Sequence, residues 1–128
     1  MVVIAAALCV AGALAAWRVL GAREAAPAVS YTLLDGSKSS TEAQRGKVLL
    51  VNFWATSCVA CVAEMPQIVS THRKFEARGY ETVAVAMDYD QPAAVARFAQ
   101  SRALPFGVAF DNNGEVARAF GDVKLTPT

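Results

Sequence analysis

A strand-like apolar run that leads into a Cys-x-x-Cys motif, followed by a long helical pattern, is the feature that most restricts how this chain can fold. The run extends from Lys47 to Phe53, the cysteines are Cys58 and Cys61, and the helical pattern continues to about Arg78, with Gly79 just past its end. The sequence therefore predicts a sheet-based fold that presents a reactive thiol where a strand gives way to a helix.

The positions of the two cysteines predict different roles for them. A thiol in the first turn of a helix faces unpaired backbone N–H groups and the positive end of the helix dipole, which lower its pKa. Cys58 is therefore the predicted nucleophile. Cys61 follows three residues later on the same helix face, where Cβ atoms lie roughly 5–6 Å apart and Cα separations suit a disulfide. We expect the pair to form and open a disulfide without backbone movement.

Half of a zinc site is the alternative interpretation of a Cys-x-x-Cys motif. The remaining cysteine is Cys9, inside an apolar N-terminal run, and the single histidine is His72. At ~1.5 Å per residue, His72 lies roughly 16 Å along a continuous helix from Cys61, too far to share a metal. The sequence therefore predicts no metal and no cofactor at this site. His72 is interpreted as a solvated helix residue, and Cys9 as a small apolar residue.

The rest of the chain alternates predicted strands and helices. Strands alternating with helices indicate an α/β sheet with helices on both faces. The predicted elements are a strand at Tyr31–Leu34 entering a hairpin at Asp35-Gly36, a helical turn at Ser40-Thr41-Glu42, a buried strand at Thr82–Met87, a helix from Pro92 to about Arg102, and a hairpin made of Phe106–Phe110, the Asn113-Gly114 turn and Val116.

Several of these segments together are recognisable, and from Ser30 to Thr128 the chain resembles the membrane-anchored TlpA/ResA branch of the thioredoxin superfamily. The matching segments are VNFWA, the Cys-x-x-Cys motif, Glu64-Met65-Pro66, LPFGVAFDNNGEV and Leu125-Thr126-Pro127-Thr128. The resemblance implies a thioredoxin-like α/β fold, with a central mixed sheet flanked by helices and an N-terminal hydrophobic helix. It also implies thiol:disulfide oxidoreductase activity.

Within the motif, the resemblance assigns roles to the residues around the cysteines. Phe53 is expected in the core, and Trp54 is expected to cover the site in part. Asn52 stands where thioredoxin carries a buried aspartate, so proton handling must lie elsewhere. Glu64 matches the active-site glutamate of ResA-like reductases. A carboxylate near two sulfurs could take the proton of Cys61 when that thiol attacks a mixed disulfide.

Two prolines have expected structural roles. Pro66 lies in the interior of the predicted helix, where it removes a backbone donor and should kink the helix. Thr126-Pro127 matches the loop whose proline is cis in the thioredoxin fold and packs against the cysteine pair. The resemblance implies that the Thr126 backbone pairs with an extended substrate segment and that Pro127 keeps metals and bulky groups off the sulfurs.

The two ends of the chain carry separate expectations. Residues 1–22 are apolar apart from Arg18 and predict either a signal anchor, with Arg18 reaching the interface, or a cleaved signal peptide. Residues 23–29 read as a tether. The resemblance implies a further hairpin and helix after the cis-proline, and none follows Thr128. We therefore expect residues 30–128 to form an incomplete thioredoxin-like domain with an open sheet edge and reduced stability.

Charge restricts the partners. With 12 basic and 11 acidic side chains the net charge is +1, and no basic stripe of the kind that nucleic acids require is present. We expect substrate proteins bearing disulfides or thiols, an upstream electron-donor membrane protein and, through the N-terminal segment, the membrane itself. The expected location is the inner membrane, facing the periplasm or an equivalent oxidising compartment, or the exported space if the segment is cleaved.

Two other functions remain as alternatives to a reductase of extracytoplasmic disulfides, such as those of an apocytochrome c. A peroxiredoxin-type peroxidase carries its reactive cysteine in a Pro-x-x-x-Thr-x-x-Cys arrangement, but here Trp54 occupies the place of that proline. A copper-binding or haem-pathway module would hold a soft metal between the two thiolates. Such a module predicts metal retained after purification, whereas a dithiol oxidoreductase predicts none.

Overall fold

The computed structural model describes residue 12 and residues 26–124 of the chain. These residues form strands β1 (Ser30–Thr32), β2 (Lys38–Ser40), β3 (Val48–Trp54), β4 (Tyr80–Ala86) and β5 (Gly107–Phe110), and helices α1 (Val59–Phe75), α2 (Pro92–Ser101) and α3 (Glu115–Ala119), with 3-10 turns at Glu42–Gln44 and Glu76–Arg78. Outside the described residues lie the predicted segment at 1–22 apart from residue 12, with its hydrophobic helix and Cys9, as well as the first part of the tether and the Thr126-Pro127 loop.

A parallel three-stranded sheet in the order β3-β4-β5 forms the centre of the molecule. Along its full length β3 pairs with β4, from Val48 opposite Tyr80 to Trp54 opposite Ala86. The hairpin of β1 and β2 joins the sheet at its β5 edge, through an antiparallel bridge between Leu33 and Ala109. Parallel neighbours joined by helical crossovers are the α/β arrangement that the sequence predicts.

The β1–β2 hairpin follows the sequence prediction closely. Ser30 pairs with Ser40, and Gly36 in the turn has a φ of 84°, a backbone angle that glycine adopts without steric cost. The Asp35 carboxylate accepts hydrogen bonds from the Ser37 hydroxyl (2.6 Å) and the Ser37 backbone N–H (2.9 Å). These bonds, the hydroxyl bond foremost, lower the pKa of Asp35.

The two faces of the sheet carry two separate hydrophobic clusters. Trp54 and Met65 belong to the cluster beneath α1 and α2. Tyr31 belongs to the opposite cluster, beneath the hairpin and α3, and Phe53 packs against that cluster. Neighbouring residues of a strand point to opposite faces, so β3 divides its aromatic pair between the two clusters.

The two aromatic residues are buried to different extents, and Phe53 packs against a core cluster as expected. Trp54 has no exposed surface, whereas Phe53 is only partly buried and meets Phe120 edge-on, with 5.7 Å between the ring centroids. The reason is that two helices cover the Trp54 face, while the short helix α3 and the hairpin cover the Phe53 face. Trp54 is therefore a core residue, and Phe53 is the more exposed of the two.

The predicted second hairpin is wrong beyond β5. Val116 lies in α3, not in a strand. The cause is Asp111, a buried carboxylate that accepts hydrogen bonds from the backbone N–H groups of Val116 (3.1 Å) and Ala117 (2.9 Å). A carboxylate on the free N–H groups of a first turn favours a helix. Gly114 supplies the left-handed backbone, with a φ of 69°, that precedes the helix.

The long helix after the cysteines has the predicted extent. α1 continues past Pro66 to Phe75, a 3-10 turn follows, and Gly79 ends it with a φ of 80°. Within the part of the chain that the structure describes, none of the helices combines the length and apolar composition needed to cross a bilayer.

Candidate functional site

The two cysteines are joined at the junction between β3 and α1. Cys58 is the residue that caps α1, with φ −83° and ψ 100°, and it forms a disulfide with Cys61 across a Cα–Cα distance of 5.3 Å. This separation lies in the range that disulfides prefer. The predicted pairing is confirmed, and the disulfide lies in the first turn of the helix.

The two sulfurs have different surroundings. Cys61 is 6% exposed and belongs to the cluster beneath α1 and α2, whereas Cys58 is more exposed. The Cys58 sulfur also accepts a hydrogen bond from the backbone N–H of Cys61 at 3.2 Å. Between them, Val59 projects into solvent with 84% of its surface exposed. An incoming disulfide can therefore reach Cys58 more readily than Cys61.

The loop that delivers Cys58 is fixed by a residue that the sequence analysis missed. Asp90, in the loop after β4, accepts hydrogen bonds from both the backbone N–H and the hydroxyl of Thr56, the latter at 2.6 Å. Met87 donates its backbone N–H to Trp54 at 3.0 Å and accepts one from Asp90 at 3.1 Å. In a parallel sheet the loops at the carboxyl ends of neighbouring strands meet at one edge, and this rule could have identified Asp90.

Trp54 packs beneath the site with no exposed surface, and its expected cover of the cysteine pair stays a prediction. Its ring lies 5.0 Å from that of Phe98 in a tilted contact, and Cys61 belongs to the same cluster. Cys61 therefore packs in the same cluster as the two aromatic rings.

Glu64 lies one helical turn beyond Cys61 on α1, as its spacing predicts, but its side chain is exposed to solvent. The expected proton exchange with Cys61 remains a prediction. Thr126 and Pro127 lie outside the described residues, so their predicted places beside the cysteine pair are not described either.

His72 is buried, with 3% of its surface exposed, and the prediction of a solvated residue is wrong. Its Nδ1 lies 3.2 Å from the Thr82 hydroxyl, its Nε2 lies 3.3 Å from a Glu76 carboxylate oxygen, and its ring meets Phe106 edge-on at 5.3 Å. These polar partners allow the imidazole to be buried. His72 thus connects α1 to β4, away from the cysteines.

Metal ligands do not gather around the disulfide. Among residues 26–124 no group of three or more histidine, cysteine or acidic side chains is placed so that it could hold a metal ion. The chemistry that this arrangement can perform is thiol–disulfide exchange, in which a thiolate attacks a disulfide sulfur through a mixed disulfide.

Comparison with known proteins gives a consistent result. The Redoxin family model matches residues 22–128. The thiol-disulfide oxidoreductase ResA of Bacillus thuringiensis subsp. konkukian is 34% identical over 100 residues, which are 78% of this chain and 57% of that protein. ResA of Bacillus subtilis is 32% identical over 107 residues, which are 82% of this chain and 59% of that protein.

A solved structure is similar to this chain in both fold and sequence. The crystal structure of a thiol:disulfide interchange protein of the thioredoxin family from Chlorobium tepidum superposes with a TM-score of 0.69 at 30% identity, covering 74% of this chain and 64% of that one. The chain thus spans a little over half the length of the curated relatives that it matches.

Proposed function

The chain belongs to the Redoxin family and has a thioredoxin-like fold, and on that premise we propose that it is a thiol:disulfide oxidoreductase that reduces disulfides of extracytoplasmic proteins. The observation that carries this proposal is the disulfide in the first turn of α1, with Cys58 accessible and Cys61 buried. The similarity to proteins named thiol-disulfide oxidoreductase supports the same activity.

The reaction begins with the reduced dithiol. The helix N-terminus stabilises the Cys58 thiolate, which attacks one sulfur of the substrate disulfide; a bond forms between Cys58 and that sulfur, and the other substrate sulfur leaves as a thiolate. Cys61 then loses its proton and attacks the Cys58 sulfur. The second substrate thiolate leaves, so the substrate gains two electrons and the chain becomes the disulfide seen in the structure.

We propose that the Glu64 carboxylate accepts the proton that Cys61 loses. The carboxylate lies one turn along the helix from the resolving sulfur and is open to solvent, so it can pass a proton between the thiol and water. Trp54 holds the buried side of the site through its contact with Phe98. Thr126 would bind the substrate backbone, and Pro127 would shield the sulfurs, as the resemblance implies.

Location and partners belong to the same proposal. We propose that residues 1–22 anchor the protein in the inner membrane, with the domain facing the periplasm, or that this segment is cleaved after export. Each turnover leaves an oxidised chain, so a thiol-bearing electron donor, proposed to be a membrane protein, must reduce it again. A c-type apocytochrome is a suitable substrate because its paired cysteines must be reduced before haem attachment.

Reduction of insulin disulfides, with dithiothreitol as the electron source, tests this function. We expect the wild-type chain to accelerate the reaction, and both Cys58→Ser and Cys61→Ser to abolish the acceleration. When the reduced Cys61→Ser variant is mixed with insulin without dithiothreitol, it should accumulate a mixed disulfide with the substrate, because the attacking thiol remains and the resolving thiol is gone. Cys58→Ser is its control and should trap none.

The alternatives give different results in the same preparation. A peroxidase would consume hydrogen peroxide and leave insulin unreduced. A metal-binding module would come out of purification with copper bound to the two thiolates. Either result would overturn the proposed reductase.

A further inference from the structure

A groove separates α1 from α2 on the face of the molecule that carries the cysteines. It encloses about 270 Å³, and its apolar lining includes Val62, Met65, Val69 and Phe98, with the two arginines Arg73 and Arg102 beside them. Met65 and Phe98 belong to or pack against the cluster that contains Cys61. The groove is therefore continuous with the packing of the redox site.

The groove follows the line of Cys58 along the helix. Val62, Val69 and Arg73 come 4, 11 and 15 residues after Cys58, and such spacings place side chains on one side of an α-helix. At ~1.5 Å per residue, Val62 to Val69 lie roughly 6–16 Å from the nucleophile and Arg73 roughly 22 Å from it. An extended chain covers ~3.3 Å per residue. A substrate chain whose cysteine lies at Cys58 therefore passes the apolar part of the groove with the residues about two to five positions from that cysteine. Its residues about six or seven positions away reach the arginines.

The charge of the groove has one sign. Arg73 and Arg102 are exposed, and no acidic side chain lines the groove. Within residues 26–124 neither arginine has an ion pair. The guanidinium of Arg102 lies over the Phe98 ring at 5.5 Å, a contact that leaves its outer edge free to bind a carboxylate. An apolar floor beside two free guanidinium groups matches a ligand that carries both an apolar side chain and carboxylates.

We propose that this groove binds the segment of the substrate protein next to its reactive cysteine, and that it selects segments with an apolar residue followed by acidic residues. The inference rests on the proposed reductase function and adds a substrate class to it. The groove would hold the substrate chain along α1 while its disulfide lies at Cys58. Substrates whose flanking segment is basic would be turned over more slowly.

Two synthetic peptides test the preference. Both carry one cysteine in a mixed disulfide with thionitrobenzoate and a leucine four residues from that cysteine. One peptide has glutamates six and seven residues from the cysteine, and the other has lysines there. The chain, reduced beforehand and freed of dithiothreitol, converts each mixed disulfide to peptide thiol and coloured thionitrobenzoate while its own dithiol becomes a disulfide. The readout is the ratio of the second-order rate constant for the acidic peptide to that for the basic peptide.

We expect the wild-type chain to favour the acidic peptide by about fivefold, the size that two exposed ion pairs supply. Arg73→Glu with Arg102→Glu should bring this ratio to one or below. Lys74→Glu with Arg97→Glu is the matched control: it changes the net charge equally, at exposed residues of α1 and α2 outside the groove lining. The control should keep most of the preference and should reduce hydroxyethyl disulfide at the wild-type rate.

A binding measurement separates the groove from the chemistry. A cysteine-free acidic peptide, labelled with a fluorophore, should bind the oxidised chain with an anisotropy increase that Arg73→Glu/Arg102→Glu loses and Lys74→Glu/Arg97→Glu retains. Thermal unfolding by circular dichroism verifies that both variants fold. If the wild type reduces no disulfide at all, the proposed function fails, and the anisotropy still decides the groove.

Three results would overturn the inference. Equal binding, by the wild type, of the labelled acidic peptide and of a labelled counterpart with lysines in place of the glutamates would remove the charge selection. If the groove variant and the control lose the preference for the acidic peptide equally, the net charge of the protein explains that preference and the groove does not. Self-association in sedimentation velocity that only Arg73→Glu/Arg102→Glu abolishes would assign the groove to a second copy of the chain.

Discussion

A single carboxylate, that of Asp90, accepts both the backbone N–H and the hydroxyl of Thr56, two residues before the accessible cysteine. The contact joins the loop after β4 to the loop after β3, and its members are 34 residues apart in the chain. Hydrogen bonds to an ionised acceptor are among the stronger ones in proteins. The backbone that leads into Cys58 is thus held by a neighbouring strand and does not depend on its own helix alone.

Loss of the Asp90 carboxylate should destabilise the domain. We expect Asp90→Ala to lower the free energy of unfolding by about 1–3 kcal/mol, because a partly buried N–H and a hydroxyl lose a charged acceptor together. Thr56→Val, which removes only the hydroxyl, should cost less, and Thr56→Ser should cost least. Urea unfolding followed by circular dichroism measures all three. Asp88→Ala, at an exposed neighbouring carboxylate, is the control, and a loss as large there would contradict the role given to Asp90.

Alkylation should distinguish the two thiols of the reduced protein. At pH 6 we expect iodoacetamide to label Cys58 first, because the helix N-terminus lowers its pKa and because Cys61 is 6% exposed. Peptide mapping after short exposures gives the order of labelling. Labelling of Cys61 ahead of Cys58 would reverse the assignment of nucleophile and resolving thiol.

Removal of the Glu64 charge should affect exchange more than folding. Glu64→Gln should slow disulfide exchange and shift its pH dependence between pH 5 and 9, since it removes the proposed proton acceptor for Cys61. The melting temperature should stay within a few degrees because the side chain is exposed. Glu115→Gln, at an exposed residue on α3, provides the comparison. Identical pH profiles for the wild type and Glu64→Gln would leave Glu64 with no part in proton transfer.

His72 should matter for stability. His72→Ala should lower the free energy of unfolding by about 2–3 kcal/mol, because it opens a cavity beside Phe106 and leaves the buried Thr82 hydroxyl without its partner. Lys74→Ala, at an exposed residue of the same helix, should stay within about 0.5 kcal/mol of the wild type. Equal effects of the two substitutions in urea unfolding would show that the imidazole contributes nothing specific.

The hairpin turn should show a pH effect of known sign. Hydrogen bonds from Ser37 lower the pKa of Asp35 in the folded chain, so their stabilisation is present above the unfolded pKa and is lost as pH falls through the folded one. We expect Ser37→Ala to move the pKa of Asp35 back toward its ordinary value, as followed by NMR of the carboxyl carbon. Ser101→Ala, whose hydroxyl bonds the Phe98 carbonyl, should leave it unchanged. An unaltered pKa in Ser37→Ala would exclude the hydroxyl as its cause.

Local signals in the sequence were sufficient for most of the fold. Apolar runs located β3 and β4, Pro92 located the start of α2, and Gly79 located the end of the long helical segment. The disulfide followed from the three-residue spacing of its cysteines. Each of these features depends on residues close together in the chain, and local patterns carry that information.

The features that the sequence did not reveal depend on contacts between distant residues. The hydrogen-bond partner that allows His72 to be buried is Thr82, on β4. The burial of Trp54 depends on which two helices cover its face of the sheet. The helix at Val116 replaced a predicted strand because Asp111 caps it, a choice that the Asn113-Gly114 turn does not determine. Tertiary contacts of this kind override local preference.

Val59 lies between the two cysteines with 84% of its surface exposed. A side chain in this position packs against little of the core, so exchanging it alters the surroundings of both sulfurs at small cost in stability. Such residues can vary during evolution while the architecture stays fixed. Substitution at this one surface residue can therefore shift the reduction potential of the disulfide while the fold stays the same, so evolution can adjust the redox chemistry separately from folding.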